Sequence, residues 1–115
     1  MEKREIDMKE KELRRNLAVF PMSSVMKLTD LTARKIRYYE EQQLIFPERN
    51  AGNNRLFSLN DIDRLLDIKE MLSDHFTIKE IQKQFIKQDK RQEQLSEEKI
   101  RIALYNDLMK ESGLN

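Results

Sequence analysis

At 115 residues, 38% apolar and 37% charged, the chain has room for one small domain with extensions, a modest core and a large wetted surface. Two glycines and two prolines point to a mostly helical protein, while the absence of cysteine and a single histidine, His75, exclude disulfides, thiolate metal sites and a zinc cage. The net charge of +1 hides a local basic excess: residues 22–58 carry six cations against four acids, and residues 59–88 and 89–115 each carry five against six.

Residues 2–16 read as an irregularly amphipathic helix in which Glu10 interrupts an apolar stripe. So sparse a stripe does not hold a lone helix in water, and residues 1–20 are expected to pack on the domain or on a second copy. Ile6, Leu13, Leu17 and Phe20 are the candidate dimer contacts. Pro21 marks the boundary.

Residues 22–30 predict a short helix with Val25 and Leu28 inward. Thr29, Asp30 and Leu31 form a turn, and Thr32 is placed to cap the next helix. Two short helices joined in this way make a helix-turn-helix. Asp30 sits where a glycine is common, and aspartate tolerates such backbone geometry.

The helix after Thr32 is the most informative stretch. Ala33 to Tyr39 holds three cations, two tyrosines and no acid. Arg34, Arg37, Tyr38 and Glu41 stand at i, i+3, i+4 and i+7 and share one face, whereas Ala33, Ile36 and Glu40 fall on another. Arginine forks and phenol hydroxyls facing outward over Ala and Ile suit an anionic surface, foremost a DNA major groove. Arg34 and Arg37 are candidate DNA contacts, Lys35 a candidate phosphate contact and Tyr38 a contact to phosphate or base. Tyr39 can offer its hydroxyl to phosphate while its ring packs. The competing reading is a solvated helix face.

Residues 45–49 and 55–58 are β-prone segments around an Asn/Gly-rich loop, the pattern of a hairpin. Directly behind a helix-turn-helix such a hairpin is a wing. Arg49, Asn53 and Arg55 are its candidate DNA contacts, set against an alternative in which the arginines pair with Glu48.

Ser58 with Asp61 approximates a capping box and opens a helix whose stripe is Ile62, Leu65, Leu66, Ile68, Met71 and Leu72. Thr77 with Glu80 is a cleaner box, opening a helix with Ile78, Ile81, Phe85 and Ile86 inward. Val25, Leu28, Ile36, Leu44 and Phe57 complete the expected core. Residues 87–99 carry one apolar side chain, Leu95, and read as a linker. Beyond it Ile100, Ala103, Leu104, Leu108 and Met109 form an amphipathic stripe, with Gly113 near a C-cap position. With Tyr105 these are the candidate partner contacts, docking on another protein or back on the domain.

The expected organisation is therefore mostly α, a winged helix-turn-helix with a small β-hairpin wing. An N-terminal helix spans residues 1–20, the DNA-binding domain 21–87, a polar linker 88–98 and a short C-terminal helix 99–115. No run approaches the roughly 20 apolar residues that span a bilayer, and the Glu/Lys/Arg-rich start has no apolar h-region, so a cytoplasmic location is expected. Catalytic machinery is missing: His75 has only Asp74 beside it, and no Gly-rich phosphate loop is present.

The segment Leu28-Thr-Asp-Leu-Thr-Ala-Arg-Lys-Ile-Arg-Tyr-Tyr-Glu40, followed by Leu44-Ile45-x-Pro47-x-Arg49 and Arg55-Leu56-Phe57-Ser58, resembles the signature of the MerR family of winged helix-turn-helix regulators. The N-terminal segment Leu13-Arg-Arg-Asn-Leu-Ala-Val-Phe-Pro21 and the tail Arg101-x-Ala-Leu-x-Asn-Asp-Leu-Met109 are similar to the glutamine synthetase repressors within it. The resemblance implies a nitrogen-responsive repressor that binds an inverted-repeat operator in double-stranded DNA as a homodimer. It implies Arg34, Arg37 and Tyr38 as DNA readers and Arg49 and Arg55 as wing contacts, with the tail docking into feedback-inhibited glutamine synthetase. Neither a cofactor nor a small-molecule effector held by this chain is implied. Most members continue into a long coiled-coil helix and an effector region, and this chain is expected to have neither. Lys35 stands where Gln is usual, Gln43 and His75 where Gly is frequent, and Asn53-Asn54 replaces a more basic wing tip. Two other readings share the fold: an adaptor whose winged domain binds a protein, and an excisionase-like DNA bender that needs no C-terminal helix.

Overall fold

The computed structural model describes residues 2–111, with side chains from Lys9 onward. The chain divides into two units that meet between Gln82 and Lys83. The first contains α1 (Glu2–Arg15), β1 (Phe20–Pro21), α2 (Met22–Thr29), α3 (Ala33–Glu41), β2 (Glu48–Arg49), β3 (Arg55–Phe57), α4 (Leu59–Ser73) and the start of α5 (Ile78–Glu111).

The helix-turn-helix is held by its ends. Pro21, extended and without an N–H, precedes α2, and Asp30 ends that helix in the left-handed region at φ 55°. The Thr32 hydroxyl accepts from the Lys35 N–H at 3.2 Å, as an N-cap should. The carbonyls freed where the two helices stop are answered from later in the chain. Lys69 Nζ donates to the Thr29 carbonyl at 3.1 Å, Gln82 Nε2 to that of Gln42 at 2.8 Å and Arg64 Nε to that of Leu44 at 2.8 Å. Side chains of α4 and of the first turns of α5 thus satisfy groups that would otherwise be left unbonded, and they fix both helices in place.

Val25, Ile36, Leu44, Phe57, Ile62, Leu65, Ile68 and Ile81 form the core as expected, joined by Leu31, Tyr39 and Ile45, and Phe85 is buried as well. Three expected core residues are instead exposed: Leu28 (55%), Leu66 and Ile86. On α2 the inward line runs through Val25 and Thr29, and Leu28 lies on the opposite flank of Val25. On α4 the line Ile62, Leu65, Ile68 likewise passes Leu66 by.

The wing hairpin forms, and β1 extends it to a three-stranded antiparallel sheet of order β1-β3-β2. Phe20 stands opposite Phe57, and the Val19 N–H donates to the Phe57 carbonyl at 3.0 Å. Pro21, lacking an N–H, is tolerated because β1 is an edge strand. Phe20, expected as a dimer contact at the end of the N-terminal helix, is part of the domain's own sheet and half-buried. The end of α1 is tied to α4: Arg15 pairs with Asp63 and donates from Nε to Asn60 Oδ1 at 3.2 Å, and Asn60 also bonds Asn16. Leu13, Leu17 and Val19 remain exposed beside this anchor, while the side chain of Ile6 lies outside the described residues.

Both capping boxes close. Ser58 and Asp61 exchange hydrogen bonds at the start of α4. Thr77 and Glu80 do so before α5, at 3.0 and 3.2 Å. The expected break at residues 88–98, with a short separate helix after it, is corrected: α5 is one helix of 34 residues. The chain thus has a long C-terminal helix, against expectation. Apart from Asp89 and Ser96, every residue from 87 to 99 is Lys, Arg, Glu, Gln or Leu, all strong helix formers, and no Gly or Pro interrupts the run. A helix already nucleated at Thr77 needs only propagation, which costs far less than starting anew. Little apolar burial is a reason for an isolated segment to stay unfolded, and this segment is not isolated. Gly113 lies outside the described residues.

Gln43 and His75, at positions where glycine is frequent in the family, both adopt left-handed backbones, at φ 60° and 68°. Replacing either by glycine should raise the unfolding free energy by about 0.5–1 kcal/mol, because a Cβ is strained in that region. Urea unfolding of Gln43→Gly and His75→Gly checks this; a loss of stability in both would show that the side chains matter more than the strain.

Candidate nucleic-acid interface

Because Ile36 and Tyr39 turn inward, α3 presents Arg34, Lys35, Arg37 and Glu41 to solvent, with Tyr38 at 44% exposure among them. The two tyrosine rings lie 5.9 Å apart, tilted by 59°. Tyr39 is only 5% exposed: its ring packs in the core, as one half of its expected role required, and helps seat the helix. Burial, and next the neighbouring Tyr38, raise its phenol above the ordinary 10.0, so it is a neutral group at physiological pH.

The wing tip is organised by Asn50. Its Oδ1 accepts from the N–H groups of Gly52 and Asn54, both at 3.0 Å, and its backbone bonds Asn53 and Asn54. Asn53, left-handed at φ 62°, is exposed at the tip. The two wing arginines stand directly opposite each other on β2 and β3. Arg55 Nε donates to Glu40 Oε1 at 2.6 Å, and Arg49 Nη2 lies 3.7 Å from Glu40 Oε2. Arg49 also donates to the Asn53 carbonyl at 3.3 Å. The ion-pair alternative weighed for these arginines therefore exists, with Glu40 of α3 as the acid in place of Glu48. Arg49 keeps 41% of its side chain open, Arg55 only 23%.

A groove of about 460 Å³ lies between the start of α2, α3 and the wing tip, with Ser23, Arg37, Asn50, Asn53, Asn54 and Arg55 on its walls. A guanidinium, amides and a hydroxyl suit an anionic occupant of phosphodiester type. Among the described residues no cluster of His, Cys, Asp or Glu could hold a metal ion, and no helix is long and apolar enough to cross a membrane.

In the second unit the expected partner residues Ile100, Ala103, Leu104, Tyr105 and Leu108 are exposed on α5, and Met109 is half-buried. Ile100, Leu104 and Leu108, four residues apart, share one face. Met109 lies on another, with Leu95 and Ile102 at seven-residue spacing. The single stripe expected from sequence is thus two, the second continuous only because Leu95 is helical.

A helix-turn-helix with an abutting sheet wing, its second helix showing cations to solvent, defines a winged helix-turn-helix protein of the DNA-binding class. Residues 20–85 match the MerR HTH family regulatory proteins, and the chain belongs to that family. It is 40% identical over 114 positions to the HTH-type transcriptional regulator GlnR of Bacillus anthracis and of Bacillus cereus, spanning 91% of this chain and 88% of the relative. It is 39% identical over 71 positions to the HTH-type transcriptional regulator TnrA of Bacillus subtilis, spanning 62% of this chain and 64% of that one. Among solved structures it resembles the transcription regulator PbrR691 from Ralstonia metallidurans CH34, crystallised with lead(II). The TM-score is 0.60 at 26% identity, covering 81% of this chain and 77% of that one. A MerR-family regulator from Bacillus cereus matches with TM-score 0.52 at 29% identity, covering 83% and 79%. These relatives are transcriptional regulators, not enzymes.

Proposed function

We propose that the chain is a cytoplasmic, sequence-specific repressor of nitrogen and glutamine metabolism genes that binds an inverted-repeat operator as a homodimer. The observation that carries the reading is the cationic outer face of α3 beside the wing, in a chain 40% identical to GlnR. In this reading Arg34 and Arg37 enter the major groove as forked donors to base edges, where a bidentate pair with guanine discriminates best. Lys35 and Tyr38 contact phosphates, while Arg49 and Asn53 bring the wing tip against the backbone. The local basic excess is small, so two copies are needed to gather enough phosphate contacts, and palindromic DNA matches that symmetry. Leu13 and Leu17, with Val19 beside them, supply apolar surface for the second copy.

Control is assigned to α5. Its Ile100, Leu104 and Leu108 face is exposed and fits a groove on a protein partner, for which we propose feedback-inhibited glutamine synthetase. The test is operator affinity measured with and without that enzyme in its glutamine-bound state. Affinity should change with the enzyme present and return to its basal value for Leu104→Asp. Equal affinity under both conditions would remove the partner from the account.

A further inference from the structure

Two arginines placed directly across a β-ladder repel each other, yet Arg49 and Arg55 occupy such a pair where the strands enter the wing tip. Glu40 is the acid that resolves the conflict. It sits on the recognition helix, 24% exposed, and offers one carboxylate oxygen to each arginine. The contact to Arg55 is a short charge-assisted hydrogen bond, and the one to Arg49 is a longer ion pair. An acid on a DNA-reading helix is unfavourable beside phosphate, so this one needs a compensating role.

We infer that Glu40 is a positioning residue that locks the wing to α3, with Arg55 as its fixed partner and Arg49 left as the wing's outward guanidinium. This rests on the DNA-binding reading above. The bracket sets the distance between two readers of one duplex: base contacts by α3 and backbone contacts by the wing. Without it the tip end of the wing, beyond the part that β1 and Phe57 hold, loses its tie to the helix, and the binding energy of the two parts no longer falls on the same sequence.

The experiment uses the full chain and two probes: a duplex enriched from a random library by the wild-type protein, and a random-sequence duplex of equal length. Glu40→Ala and Glu40→Gln remove the same charge, but only Gln keeps an acceptor for Arg55. Glu40→Ala should lower the preference for the enriched duplex about tenfold or more, while Glu40→Gln retains most of it. Arg55→Lys keeps the charge but loses the planar Nε donor, and should behave as Glu40→Ala does. A hydroxyl-radical footprint should lose the wing's protection in both impaired variants and keep that of α3, a pattern that loss of folding would not produce. If both Glu40 variants bind both duplexes more tightly by the same factor, Glu40 acts only as a charge and the inference is overturned. Unchanged preference in Glu40→Ala overturns it as well. Failure of the wild-type chain to enrich any duplex is a different result, which removes the DNA-binding reading and this inference with it.

Discussion

Phe57→Ala is expected to lower the unfolding free energy by about 3–5 kcal/mol, the cost of emptying a large aromatic site in a packed interior. Phe57 is fully buried and ends β3, the strand shared by β1 and β2. Its backbone carbonyl still accepts from Val19 in the variant, so the loss comes from the ring alone. Domains of this size have only about 5–15 kcal/mol in total, so a large part of the stability goes. Urea unfolding followed by circular dichroism checks the figure through a shifted midpoint at constant slope. A loss below about 1 kcal/mol would mean that the ring is not packed as described.

Arg37→Ala should weaken binding to an enriched duplex by about 1–3 kcal/mol and relax selectivity at one base position of each half-site. Arg37 is singled out because it is exposed on α3 and also walls the groove beneath the wing tip. Lys35→Ala provides the contrast. A phosphate contact should cost every duplex alike and lower the salt slope by about one unit. Fluorescence anisotropy titrations over several salt concentrations distinguish the two. If Arg37→Ala weakened enriched and random duplexes equally, it would join Lys35 as a phosphate contact, and base reading would fall to Arg34.

What the sequence made legible was what local chemistry dictates. The Thr32 cap, the boxes at Ser58 and Thr77, and the strained positions Asp30, Gln43 and His75 each follow from neighbours within four residues. The outward face of α3 was readable for the same reason, since helical spacing alone separates Arg34 and Arg37 from Ile36. Features that depend on chain return were not. β1 has two residues, too short for any alternation, and exists because Phe57 lies opposite. The acid that pairs with Arg55 is not Glu48 on the adjoining strand but Glu40, fifteen residues back on a helix. Symmetry of the loop between Asn50 and Asn54 was the available clue, because it sets Arg49 opposite Arg55 and calls for an acid from elsewhere. The continuity of α5 depends on helix propagation and not on apolar burial, which is low from residue 87 to 99.

DNA recognition through α3 and the wing is the central claim, and it is tested most directly by the salt dependence of binding to enriched and random duplexes. Log K should fall linearly with log salt on a slope of several units, and the enriched duplex should be preferred by about a thousandfold or more. Binding that is flat in salt, or equal for the two duplexes, would contradict it.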